Sequence, residues 1–144
     1  LSSLWESEFK NVIINKYVKM NFLIIDGASD KICFFSHFNN NSYSKSFESS
    51  KNNYDKFSIL LFDFLKQNCI NLAKLTHLFV NQGPGSFSGI RTSIAVAKGL
   101  SITNKLSLYG FNSYDLKGMN YMNIILLYQK GHLTKKLIKP LYLS

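Results

Sequence analysis

The chain has 144 residues, is 46% hydrophobic and 15% aromatic, and carries a net charge of +9. That is the length of one domain, its apolar content excludes a disordered chain, and no apolar run approaches the ~20 residues that span a bilayer. The charge invites a nucleic-acid or membrane-surface reading, but of the 17 basic residues only Arg91 is arginine and the lysines are scattered, which is a poor match to a groove that reads bases and grips phosphates.

Leu1–Lys19 has neither the apolar stretch of a secretory signal nor the arginines of a transit peptide. It is expected to be an N-terminal extension (residues 1–19), poorly ordered or loosely helical through Trp5, Phe9, Val12 and Ile13. From Asn21, "NFLIID" is a continuous apolar run ending in a carboxylate, as a central buried strand requires. "KICFFSHF" and "SYSKSF" continue as strands around a polar turn at Asn39–Ser42. Tyr54–Asn68 reads as a helix with Phe57, Leu60, Leu61, Phe64 and Leu65 on one stripe. Ile59 and Phe62 lie off that stripe, so this helix is apolar on a second side, which is buried or offered to a partner. "HLFVNQ" is a strand, a helix runs from about Ser88 to Ile102, and "KLSLYGF" is a further strand. Beyond Asn112 the pattern suggests a strand at "NIILLY" and a closing strand at "LIKPLYL". A meander followed by alternating strand and helix gives an α/β fold, a mixed sheet of about five strands with covering helices.

Cys33 and Cys69 have no metal spacing, and His37, His77 and His132 are isolated. No metal, cofactor or disulfide is expected, which fits free thiols in a reducing cytoplasm.

The stretch "NQGPGSFSGIRTSIAVAKGL" (Asn81–Leu100) joins a tight loop to a helix. As a Walker loop it puts Gly89 where the lysine belongs, so the phosphate-neutralising charge is missing. As a nucleophile elbow it puts Phe87 where the serine belongs. The mechanical reading fits better. Gly83, Pro84 and Gly85 shape a turn, Ser86 or Ser88 caps the helix beside Phe87, and the loop aims that helix. Gly89, Ser93 and Ala97 form one ridge of small side chains, and Thr92, Ala95 and Gly99 a second. Either ridge lets another helix approach closely. One ridge facing the chain's own sheet leaves the other, with the doubly apolar Tyr54–Asn68 helix, for a partner. Phe57, Leu61, Phe64, Gly89, Ile90, Ser93, Ile94 and Ala97 are the expected interface residues, with Arg91 as a charged anchor at the rim.

Gly83–Leu100 closely resembles the signature of the bacterial TsaB (YeaZ) family. "MNFLIIDGASDKICFF" from Met20 is similar to that family's first hairpin, and "KPLYLS" (Lys139–Ser144) to its ending. The resemblance implies a ribonuclease H-like lobe of the actin-like ATPase superfamily over residues 20–112, with residues 113–144 as the remnant of a shortened second lobe. It implies a non-catalytic cytoplasmic subunit of the machinery that makes threonylcarbamoyladenosine beside the tRNA anticodon. Such a subunit has no catalytic residues. It binds and activates a TsaD-like transferase, is joined by a TsaE-like ATPase, and meets tRNA through the complex. A bare apolar helical face also leaves a homodimer open. A basic RNA-binding accessory module and a degenerate, non-functional paralogue are the alternatives. An enzyme in its own right would need a nucleophile or a cationic phosphate anchor.

Overall fold

A computed structural model of the chain describes residues 20–116, 120–135 and 138–141. The expected extension at residues 1–19 and the last three residues of the family-like ending lie outside these. Strands β1 (Phe22–Asp26), β2 (Lys31–Phe38), β3 (Asn41–Glu48), β4 (His77–Asn81) and β5 (Ser107–Phe111) form one mixed sheet in the order β3-β2-β1-β4-β5. β2 lies antiparallel to both β1 and β3, whereas β4 lies parallel to both β1 and β5. The β2–β3 turn holds Asn39 and Asn40 at positive φ, the two-residue geometry that matches strand twist and that asparagine tolerates.

β1 is buried on both faces because it sits mid-sheet with covers above and below. Its alternation sends Leu23 and Ile25 to one core and Phe22 and Ile24 to the other. The first core is roofed by helices α1 (Lys51–Asp55), α2 (Phe57–Gln67) and α3 (Phe87–Asn104). Where one helix was expected over Tyr54–Asn68, the chain starts helical at Lys51, with Ser50 capping Asn53, and breaks at Lys56. Apolar periodicity could not register α1, because α1 buries no residue.

The second core corrects a further expectation. "NIILLY" is not a strand but part of helix α4 (Met122–Gln129), whose Met122, Ile124 and Ile125 pack on Phe22, Ile24, Phe79 and Phe111. A short apolar run fits a buried strand or a buried helix equally well. Here the Asn120 side chain accepts from the Met122 amide and turns the chain into a helix. No closing strand forms over Ile138–Leu141. Beyond β5 the described residues add to the sheet only an isolated bridge between Gly110 and Thr134.

His77 ties β4 to α4. Its Nδ1 lies 2.7 Å from Thr76 Oγ1 and its Nε2 2.9 Å from the Tyr128 hydroxyl. The Thr76 hydroxyl donates to the Asn21 carbonyl, so its oxygen accepts from Nδ1–H and leaves Nε2 to accept from Tyr128. Burial, then the Lys135 charge, hold the His77 pKa below its ordinary value, and burial lowers that of His37. The unfolded chain therefore takes up protons that the native chain resists. Stability is complete above about pH 6.5 and falls as pH drops below it. Denaturant midpoints at pH 7.5 and 5.5 should show the loss at the lower pH, and His77→Gln should reduce it.

Candidate docking face

The loop after β4 is fixed from both sides. Asn81, buried at the strand's end, donates to Asp26 and accepts from the Gly83 amide. Gly83 has φ +101, and a Cβ there would press on Ile90 and the Leu141 carbonyl. The Ser86 amide donates to the Ala28 carbonyl, which a side chain at Gly85 would overlap. The Ser86 hydroxyl accepts from the Gly89 amide and lies 2.8 Å from the Tyr54 hydroxyl, so it caps α3 and links it to α1. Pro84 offers its carbonyl to Ser113 Oγ, and Phe87 and Ser88 open the helix on the solvent side. The loop thus locks the start of α3 onto the β1–β2 turn, where Gly27 and Gly89 meet back to back.

That contact decides which way the small ridges face. Gly89, Ser93 and Ala97 are buried against the chain's own sheet, together with Ile90 and Ile94. Phe57, Leu61 and Phe64 are buried in the same core. Of the residues expected at a partner interface, only Arg91 is exposed. The others form the chain's own core, because the strongest apolar period on a helix marks the side it turns to its sheet. A partner would meet the opposite sides. On α2 these show Ile59 (61% exposed) and Phe62 (47%). On α3 they show Ala95, Gly99 and Ile102 (78%), and no atom would lie within 4 Å of a Cβ at Gly99. Sequence reasoning flagged Ile59, Phe62, Ala95 and Gly99, and it missed the features that flank them.

The first is a surface cavity of about 630 Å³ between α1 and α3. Lys51, Tyr54 and Asp55 line one side and Phe87, Ser88 and Arg91 the other. The second is the polar knot at the carboxyl ends of β1 and β4. Buried Asp26 accepts from Ser29 Oγ (2.8 Å), the Ala28 amide (3.0 Å), Asn81 Nδ2 (3.1 Å) and the Tyr121 hydroxyl (2.7 Å). Burial, then the Asp26 carboxylate, push the Tyr121 phenol far above its ordinary range, so it keeps its proton and donates. Among the described residues no three His, Cys, Asp or Glu side chains converge to hold a metal, and no helix is long and apolar enough to cross a membrane.

An antiparallel hairpin feeding parallel strands through helices on one face is a ribonuclease H-like lobe of the actin-like ATPase type. Comparison with solved structures supports that class: YeaZ from Pseudomonas aeruginosa superposes with a TM-score of 0.64 at 15% identity, covering 78% of this chain and 50% of that one. Residues 47–126 match the family model described as TsaD, tRNA N6-adenosine threonylcarbamoyltransferase. Two curated relatives, each called tRNA threonylcarbamoyladenosine biosynthesis protein TsaB, come from strains of Buchnera aphidicola. That of subspecies Baizongia pistaciae is 31% identical over 76 residues (52% of this chain, 34% of the relative), and that of subspecies Schizaphis graminum 36% over 47 residues (33% and 22%). The matched stretches thus span about a third or less of the length of these relatives. The chain belongs to the family described by the TsaD model, and the curated relatives it matches are TsaB proteins.

Proposed function

We propose that this chain serves tRNA threonylcarbamoyladenosine biosynthesis as a non-catalytic subunit that docks a TsaD-like transferase on the outward sides of α2 and α3. The observation that carries the reading is the display of Ile59, Phe62 and Ile102 on the two crossover helices, beside the open backbone at Ala95 and Gly99. Ile59 and Phe62 lie three residues apart on α2 and so are neighbours on the helix surface. Contiguous exposed apolar surface marks a partner site, and small neighbours let a second helix come close. The non-catalytic part rests on the signature loop, where Gly89 stands in the place of a phosphate-binding lysine and Phe87 in the place of a nucleophilic serine.

Phe62→Arg tests it. Phe62 lies outside the core, so the variant should fold as stably as the parent. Its affinity for the TsaD transferase of the same organism should fall about tenfold or more, as for a buried aromatic anchor. Unchanged affinity, or a parent chain that stays monomeric beside the transferase at micromolar concentration, would remove the reading.

A further inference from the structure

The cavity between α1 and α3 has a chemistry that the docking reading does not use. Arg91, the only arginine in the chain, holds its guanidinium 5.2 Å above the centre of the Phe87 ring. An aromatic face keeps a guanidinium in place with its N–H fork outward, where it suits the two oxygens of a carboxylate. Lys51 faces it across the cavity, and among the described residues neither cation has a carboxylate within ion-pair distance. Asp55 lines the same cavity without pairing either of them. Two cations, one of them held over an aromatic ring, against one carboxylate leave a net positive hollow. It is continuous with the docking face, since α1 runs into α2 through Lys56 and Arg91 precedes Ala95 by one helical turn.

We infer that this cavity receives an acidic side chain, aspartate or glutamate, from the transferase docked on α2 and α3, with Arg91 as the residue that grips it. The inference rests on the proposed function above. A nucleic-acid backbone is the poorer occupant, because gripping it takes a row of cations. The cavity supplies two, with Asp55 opposing.

The sign of the Asp55 effect separates this from a generic charged rim. Affinity for the purified TsaD transferase of the same organism is measured at low and physiological salt for the parent, Arg91→Glu, Arg91→Gln, Asp55→Asn and Phe62→Arg. Both Arg91 variants should weaken binding, the reversal by about tenfold or more, and the salt dependence should flatten. Asp55→Asn should tighten binding about two- to threefold, because it removes a charge that repels the incoming carboxylate. All these side chains are exposed, and circular dichroism melts matching the parent exclude misfolding. If Phe62→Arg weakens binding while the Arg91 and Asp55 variants bind like the parent, the acidic contact is overturned and the docking reading stands. If the parent does not bind, both fall. If Arg91→Glu leaves the transferase affinity unchanged but abolishes retention of tRNA, or dissolves a dimer of the chain itself, the occupant is RNA or a second copy and the inference is wrong.

Discussion

Gly89→Ala is expected to destabilise the fold by about 2–3 kcal/mol, the upper range for forcing atoms into a packed site, whereas Gly99→Ala in the same helix should stabilise it by up to about 1 kcal/mol. The two glycines share a helix, so propensity alone favours alanine at both. Surroundings reverse the sign at one of them. A methyl group at Gly89 would overlap the Gly27 carbonyl oxygen, with a ring carbon of Tyr54 also close. The obstacle is backbone at the end of the central strand, and it cannot swing aside as a side chain would. Relief requires α3 to lift from the β1–β2 turn, loosening Ile90, Ser93, Ile94 and Ala97 behind it. At Gly99 a methyl group meets nothing. Urea midpoints at constant slope read the difference directly. Equal effects at both positions would mean that α3 is not seated on Gly27.

Gly99→Ala serves a second purpose. It fills an outward strip where a partner helix would approach, so it can stabilise the chain alone while weakening the docked complex. An interior glycine could not separate the two effects.

The same helix shows what could be read from sequence. β1 was legible because a mid-sheet strand buried on both faces is an unbroken apolar run ending where the chain must turn, at Asp26. The Asn81–Leu100 stretch was legible as a loop that aims a helix, because no charge or nucleophile fitted the chemical alternatives. Which ridge of α3 faces inward was not legible. Gly89-Ser93-Ala97 and Thr92-Ala95-Gly99 are equally small, and the choice is made by Gly27, far away in sequence. The strong stripe of α2, with Phe57, Leu61 and Phe64, was expected at a partner interface but packs in the chain's own core, while the weak signal, Ile59 and Phe62 off that stripe, lies on the outward side. α4 was taken for a strand because a short run of Ile and Leu carries no period. The Asp26 knot was invisible because Tyr121 reaches it across 95 residues of sequence.

Asp26→Ala should cost about 3 kcal/mol or more. The carboxylate is wholly buried and binds the amide of Ala28, Ser29 Oγ, Asn81 Nδ2 and the Tyr121 hydroxyl. Removing it strands the buried Ala28 amide and Asn81 Nδ2, which lose their partner without regaining water, along with the part-buried Ser29 and Tyr121 hydroxyls. Asp26→Asn keeps the shape but turns a donor toward donors, so it should fall only a little short of the alanine change. Tyr121→Phe removes one donor and leaves Asp26 its other partners, so it should cost about 1.5 kcal/mol, the lower range for a hydrogen bond to a charged group. The ranking is the test, because it follows from how many groups each substitution leaves unpaired. Asn81 passes the effect onward: its side chain also accepts from the Gly83 amide and bonds Ser113, which holds the Pro84 carbonyl. Loosening Asp26 therefore loosens the loop that sets α3, and Asp26→Asn should weaken transferase binding even where the variant is fully folded. If folded Asp26→Asn binds with parental affinity, the knot holds the sheet together but does not set the pose of the docking helix.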